Sequence, residues 1–552
     1  MKLAKPIKIV LILILVIVHC YFVFHSIKKI TYPFEIDPVE GVMLNASRLL
    51  ARGEALYYNN PTLNFHKITT LYPPVYYVLT GLWVKFYGTN FFGGRLISFL
   101  SNYLSAFLIF LILLKLTKDR FLSIMLSLMF PLLLPISCCG QYMRVDSLGL
   151  FLSLLALFLA TAENRLLFYL SPVVLVLAFF TKFNFASLIV PVFFLILITK
   201  KAKWVFYLVE FALLSLVTFL WLNKTTEGAF FHNTFTYLGS ASYSFPMALQ
   251  FVLYIIVSYS FIALAIFNLL IGRKRLIGND KEYLIFLCLL TEIPFLLFAM
   301  GKVGTTMNQF FQLSAFSLLT LGILLEKNKD NWENLRESPG SLLLFITPLV
   351  TGWIVSYYLL KETYPKLMLL IASAIYVLVM PVQLRLKKMT VHSCMAILIV
   401  AQIITIYFMP LGIQGENLAP NETLKRIELN REYFRKIIEI LEKNPGPALT
   451  WLTGCLVLSG KDSVIEPFVL NNLYRVGLFS PERFYANISQ KKYSVMVMPP
   501  RFRTLYESEE GARTEDDDSS IFTRRDFIMI VTDNYQITGK VGSAVILYPQ
   551  EN

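Results

Sequence analysis

Residues 31–77 read TYPFEIDPVEGVMLNASRLLARGEALYYNNPTLNFHKITTLYPPVYY. This polar stretch directly follows the first apolar run and holds two acids, Asp37 and Glu40. Asp37 followed by Pro38 makes a good helix N-cap and first helical position. The spacing predicts a helix over 39–50 with Val39, Val42, Met43, Ala46, Leu49 and Leu50 on one face. Such a face suits a helix lying on a bilayer surface with its acids at the start. A plain capped interfacial helix with no chemistry is the alternative, and the rest of the chain has to decide.

Composition points to a membrane. The 552 residues are 56% hydrophobic and only 16% charged, with a mean hydropathy of +0.61. Apolar runs near the ~20 residues needed to cross a bilayer recur along the chain. The net charge of +14 therefore belongs to membrane topology rather than to nucleic acid, because no basic stretch outside these runs is interleaved with stacking aromatics. The six cysteines form neither a disulfide framework nor a CxxC metal pair, and the five histidines are scattered.

Thirteen apolar runs fall at 7–27, 95–116, 121–137, 147–162, 166–181, 185–199, 204–222, 247–271, 283–299, 308–325, 341–359, 366–384 and 391–412. A shorter one, 74–88, carries Lys85. If 74–88 does not cross, the basic clusters after even-numbered runs (Lys115, Lys118 and Arg120; Lys200, Lys201 and Lys203; Arg273, Lys274 and Arg275; Arg385, Lys387 and Lys388) all share the side of the N-terminus. The positive-inside rule then puts the N-terminus in the cytoplasm and 28–94 outside as one loop with juxtamembrane helices. The expected fold class is mainly α: a polytopic membrane domain over 1–412, with a small extracytoplasmic α/β domain over 413–552. In the latter, a helix is expected at 431–443, strands at 448–453, 493–498 and 543–548, and an acidic loop at 507–520.

The outer side collects the charged groups. Carboxylates are Asp37, Glu40 and Asp146; cations are Arg144, Lys182 and Lys302, the last in the Gly- and Thr-rich run 301–308. Ionisable groups at membrane depth are costly and are functional candidates. A carboxylate can serve as general base on an acceptor hydroxyl or amine, and cations can hold a phosphate leaving group. That chemistry suits transfer from a lipid-phosphate donor. The bland readings are that Arg144 and Lys182 anchor helix ends at the interface, that His66 and Lys67 are solvated, and that Tyr72, Tyr76, Tyr77 and Trp83 form an aromatic belt.

Four segments carry a family resemblance: Asp37-Pro38-Val39-Glu40-Gly41, Arg52-Gly53-Glu54-Ala55-Leu56-Tyr57, Tyr72-Pro73-Pro74-Val75-Tyr76-Tyr77 and Phe92-Gly93-Gly94-Arg95-Leu96. In this order and spacing they resemble the GT-C glycosyltransferases, membrane enzymes that use polyprenyl-phosphate sugars. The nearest branches are the protein mannosyltransferase-like and aminoarabinose-transferase-like enzymes. The resemblance implies a GT-C fold and a sugar transfer at the outer face of the cytoplasmic (or an ER-type) membrane. The acceptor would be an envelope glycolipid, polysaccharide or protein. Glu40 aligns with the second acid of the family pair and is favoured over Asp37 as base. Arg144, Asp146, Lys182 and Lys302 would bind substrate or phosphate. Many relatives have a phosphate-contacting lysine where this chain has Tyr72, so Lys67, Lys182 or Arg144 would serve instead. A divalent cation, if used, would fall to Asp37, Glu40 and Asp146; no nucleotide or redox cofactor is expected. A lipid or sugar transporter is the rival reading and would need mid-span ionisable groups, of which Glu210 and Glu292 are the main candidates; a non-catalytic envelope scaffold is another.

Overall fold

A computed structural model describes residues 5–58, 70–248, 280–302, 304–327, 412–413, 416–417, 420–462, 467–500, 502, 522 and 524–551. The apolar runs 341–359 and 366–384, nearly all of 247–271 and 391–412, the acidic run 507–520, and His66 and Lys67 lie outside these residues.

The first part is helical: α1 (Lys5–Ile30), α2 (Pro38–Ala51), α3 (Val75–Tyr87), α4 (Phe92–Thr117), α5 (Arg120–Met129), α6 (Leu134–Cys139), α7 (Val145–Ala160), α8 (Arg165–Phe179), α9 (Ile189–Thr199), α10 (Ala202–Thr225), α11 (Asp280–Met300) and α12 (Phe311–Lys327). Five helices among the described residues are long and apolar enough to cross a membrane: Ile9–Ile30, Phe92–Thr117, Ala202–Thr225, Asp280–Met300 and Met307–Lys327. The run 121–137 is not one helix. Pro131 and Pro135 lie in it, and the chain passes through a 3-10 turn at Phe130–Leu132 before α6. The run 185–199 likewise opens on a 3-10 turn, Phe183–Ala186. α4, α7 and α8 pack side by side. α12 is buried along nearly its whole length, which places it at the centre of the bundle. Ile17, Phe206, Val217 and Phe298 are exposed on the outside, the pattern of an apolar bundle surface.

α3 has 13 residues, roughly 20 Å, well short of the ~30 Å hydrocarbon core. It packs on α2: the Ser47 and Thr80 hydroxyl oxygens are 2.6 Å apart. Gly81 sits so close that a Cβ there would lie 3.2 Å from the Leu50 Cβ.

The C-terminal part contains α13 (Pro420–Lys443), α14 (Thr453–Leu458), α15 (Pro467–Arg475), α16 (Glu482–Ser489) and α17 (Arg525–Asn534). A two-residue pair, β1 (Gly412–Ile413) and β2 (Glu416–Asn417), precedes α13. The main sheet is β3 (Ala448–Thr450), β4 (Val495–Met498), β5 (Tyr535–Val541) and β6 (Ala544–Pro549), in the order β3-β4-β6-β5. β3 and β4 run parallel; β6 is antiparallel to both neighbours. Alternation along VMVM sends Val495 and Val497 to one face with Ile437 and Leu441 of α13, and Met496 and Met498 to the other with Phe484 and Phe527. Both faces are covered, which is why β4 reads as a continuous apolar run. The expected helix at 431–443 extends back to Pro420, and the strand expected at 448–453 stops at Thr450 where α14 takes over.

α2 differs from the expectation. Glu40 through Leu49 are all buried, so the helix does not lie on a bilayer surface. α3 covers one side and α14 the other. Arg48 donates to the Val457 carbonyl at 3.2 Å, the Lys461 carbonyl at 2.7 Å and Asp462 Oδ1 at 3.1 Å, tying α2 to the C-terminal part.

Candidate active site

The site begins at the N-terminus of α2. Asp37 is the N-cap: its Oδ1 accepts from the Val39 N–H at 2.9 Å. Glu40 closes the capping box, its Oε2 accepting from the Asp37 N–H at 3.4 Å. Gly53, at φ +73°, then allows the chain to leave the helix in the left-handed conformation.

Glu40 does more than cap. Arg95 on α4 donates Nε–H to Oε1 at 2.8 Å and Nη2–H to Oε2 at 2.6 Å, a bidentate pair with both side chains fully buried. The Ile36 N–H adds a bond to Oε2 at 2.8 Å and the Met143 N–H one to Oε1 at 2.8 Å. With the capping contact, five donors meet a carboxylate that offers about four lone-pair positions. The remaining Arg95 donors go to the Lys29, Tyr32 and Phe34 carbonyls, at 3.0, 2.5 and 2.6 Å. Burial opposes the Glu40 charge, but Arg95 and the backbone donors outweigh it and hold the pKa below the ordinary value. Glu40 is thus an ionised, saturated strut between the start of α2 and α4, with no position left for an incoming proton. Arg95 was legible only as part of Phe92-Gly93-Gly94-Arg95-Leu96, and nothing in the sequence pairs it with Glu40.

Asp37 is placed differently. Its Oδ2 faces Arg144 Nη1 at 3.4 Å, a long contact that leaves acceptor capacity. Burial first, and then the neighbouring Glu40 and Asp146 charges, push its carboxyl above the ordinary aspartate value against the pull of Arg144. Arg144 stands at the N-cap of α7 and also donates to Thr306 Oγ1 at 3.2 Å. Its Nε is 3.8 Å from Asp146 Oδ2, and Lys182 Nζ donates to Asp146 Oδ1 at 2.7 Å. Asp37, Arg144, Asp146 and Lys182 therefore form one alternating chain of charge, every member at most 8% exposed. Thr306 donates to Asn308 Oδ1 at 2.7 Å, and Asn308 in turn hydrogen-bonds Asp146.

Lys302 stays outside this chain. It bridges to Tyr243 through the backbone, and its ammonium lies 5.8 Å from the Phe298 ring centroid. The Lys182 ammonium lies 5.8 Å from the Tyr72 ring centroid, beside the residue that replaces the family lysine. The three carboxylates named for a divalent cation do not converge: Arg95 and backbone donors occupy Glu40, and Arg144 stands between Asp37 and Asp146. Among the described residues no group of three or more metal-ligating side chains is assembled. Glu35 escaped the sequence reading. It is buried, and its Oε2 accepts from the Gly454 N–H at 2.9 Å.

No protein-family profile and no curated protein sequence matches the chain. Solved structures do. ArnT from Cupriavidus metallidurans bound to undecaprenyl phosphate superposes with a TM-score of 0.61 over 97% of each chain, at 13% identity. The same protein in the apo state gives a TM-score of 0.58, again over 97% of each chain and at 13% identity. The shared architecture is the GT-C fold, and with its apolar helices it makes this chain an integral membrane protein.

Proposed function

We propose that this GT-C-fold chain is a glycosyltransferase that moves a sugar from a polyprenyl-phosphate donor to an envelope acceptor at the outer face of the membrane. The observation that carries the proposal is the buried chain Asp37–Arg144–Asp146–Lys182. It sets a carboxylate with spare acceptor capacity beside cations suited to a phosphate. The undecaprenyl phosphate held by ArnT supports a lipid-phosphate donor here.

In this reading Asp37, not Glu40, is the base. Its Oδ2 takes the proton of the acceptor hydroxyl or amine as the acceptor atom attacks the anomeric carbon. The bond from that carbon to the phosphate oxygen breaks, and the polyprenyl phosphate leaves with the electron pair. A single displacement of this kind inverts the anomeric configuration. Arg144 and Lys182 take up the charge that develops on the leaving phosphate. The chain of two carboxylates and two cations is charge-balanced before substrate arrives. An incoming phosphate therefore competes with Asp146 for Lys182, whose ammonium lies beside the Tyr72 ring. Lys302 is a candidate for a second phosphate contact from the loop that also carries Thr306. Asp146 positions Arg144 and Lys182. Residues 1–412 would form the membrane domain, with 413–552 extracytoplasmic.

The test is transfer of radiolabelled sugar from a synthetic polyprenyl-phosphate donor in membrane vesicles. Asp37→Asn is expected to lower transfer by at least about 100-fold while the protein still accumulates in folded form, since Asn keeps the cap of α2 and Arg144 keeps Asp146. Full activity in that variant would remove Asp37 as base. A wild-type protein that transfers no sugar from any polyprenyl phosphate, while remaining folded, would remove the reaction class.

A further inference from the structure

Glu292 has no part in the chemistry above. It lies in α11 at 2% exposure, and its Oε2 has no hydrogen-bond partner. The Ser187 hydroxyl bonds the carboxyl group, and Ser187 itself accepts from Gln312 Nε2 at 2.8 Å. Glu292 stands eight residues before Met300, roughly 12 Å along the helix from its end. A carboxylate at such depth is costly unless something neutralises it.

Beside it is a cavity with room for about one water molecule, lined also by Asn184, Asn308, Gln309 and Gln312. The backbone that lines and adjoins this space is irregular. Residues Phe183–Ala186 and Met307–Phe310 are 3-10 turns, and Pro294 interrupts the hydrogen bonding of α11 two residues from Glu292. Proline at 294 has no N–H for the Leu290 carbonyl. Interrupted helices at membrane depth are tolerated where they line a cavity. The amide groups point the same way. Asn184 Nδ2 donates to Gln309 Oε1 at 2.9 Å and Gln312 Nε2 to the Ser187 hydroxyl, which turns one N–H of each amide to the protein, and each amide oxygen is an acceptor that a cation can use.

We propose that this cavity binds a small monovalent metal cation of sodium's size, with Glu292 as the anionic ligand and amide oxygens completing the shell. One carboxylate balances one positive charge, and oxygen donors suit a hard ion. The site communicates with the charged chain through Asn308, which lines the cavity and also bonds Asp146 and Thr306. Occupancy would steady Asn308 and, through it, Asp146. The proposal stands independently of the transfer reaction, and its test needs no turnover.

The test uses the full chain purified in detergent. Its Tm is measured in sodium chloride and in choline chloride at equal ionic strength and mildly alkaline pH. Sodium is expected to raise the Tm by about 2 °C or more, and Glu292→Gln to abolish the rise. Equilibrium dialysis of wild-type protein against radioactive sodium, which does not depend on the variant folding, is expected to show saturable binding. Equal Tm in the two salts with no bound sodium overturns the proposal. So does a rise in Tm with sodium that is as large in Glu292→Gln as in the wild type, since the ion would then bind elsewhere.

Discussion

Asp37 and Glu40 carry the same functional group three residues apart, yet their surroundings assign them opposite work. Glu40 is fully buried, meets Arg95 twice and accepts from three backbone N–H groups. Asp37 uses one oxygen to cap α2 and keeps the other on a 3.4 Å contact with Arg144. Motif alignment favours Glu40 as base; the proposed mechanism assigns that role to Asp37 instead, because a saturated carboxylate has nowhere to receive a proton. Breaking a buried ion pair leaves an uncompensated charge at a cost of about 3–5 kcal/mol. Glu40→Gln should thus lower the yield and Tm of the folded protein, whereas Asp37→Asn should lower transfer without unfolding it. Thermal melts of the two variants side by side separate the roles; a Glu40→Gln protein as stable as wild type would show that Glu40 is not the strut described.

At the scale of elements, α2 is the part that joins everything. Its N-terminus presents Asp37, its flank packs on α3, and its opposite flank meets α14. The last contact is so close that only glycine fits. A Cβ at Gly41 would lie 2.4 Å from the Gly454 backbone nitrogen and 2.7 Å from Glu35 Oε2. Backbone cannot swing aside as a side chain does, so Gly41→Ala should cost about 1–3 kcal/mol by overpacking. The loss should appear as faster hydrogen exchange over 448–462, the segment that docks on α2. Unchanged protection there would mean that the two elements are less tightly engaged than these distances require. Much of α2 was legible beforehand: the Asp37 cap, the Pro38 start and the apolar spacing are local features. What covers the helix was not, because α14 lies about four hundred residues away in sequence (409 from Arg48 to Val457).

At the scale of the molecule, the C-terminal part is held against α2 and the loop before it by Arg48 and by Glu35, and Glu35 makes that junction sensitive to pH. Burial raises its carboxyl to about 8, reinforced by the Glu40 and Asp37 charges and opposed by the Gly454 N–H and Arg95. Between the ordinary value of 4.5 and about 8, the folded protein holds a proton there that the unfolded chain has lost. The contribution of Glu35 to stability is therefore largest at low pH, declines as pH rises through this window and is flat above it. Glu35→Gln keeps an acceptor for Gly454 but cannot ionise. The Tm of the variant should fall less than that of wild type across the window, and parallel Tm–pH curves would refute the assignment.

The local chemistry of the chain by itself determined the membrane class, the helical character of the apolar runs, the capped start of α2 and the candidate charges Asp37, Arg144, Asp146 and Lys182. Each is read from neighbours within a few residues, the range over which hydrophobic periodicity and capping act. The same local reading extended 121–137 across two prolines and laid α2 on a bilayer. Only the tertiary structure decided which charges meet. Arg144 reaches Asp37 across 107 residues, Arg95 reaches Glu40 across 55, and Lys182 reaches Asp146 across 36. Those pairings follow from how α2, α4, α7 and α8 pack, and packing is a property of the assembled core. It was that packing that saturated Glu40, left acceptor capacity on one Asp37 oxygen and put Lys182 beside Tyr72.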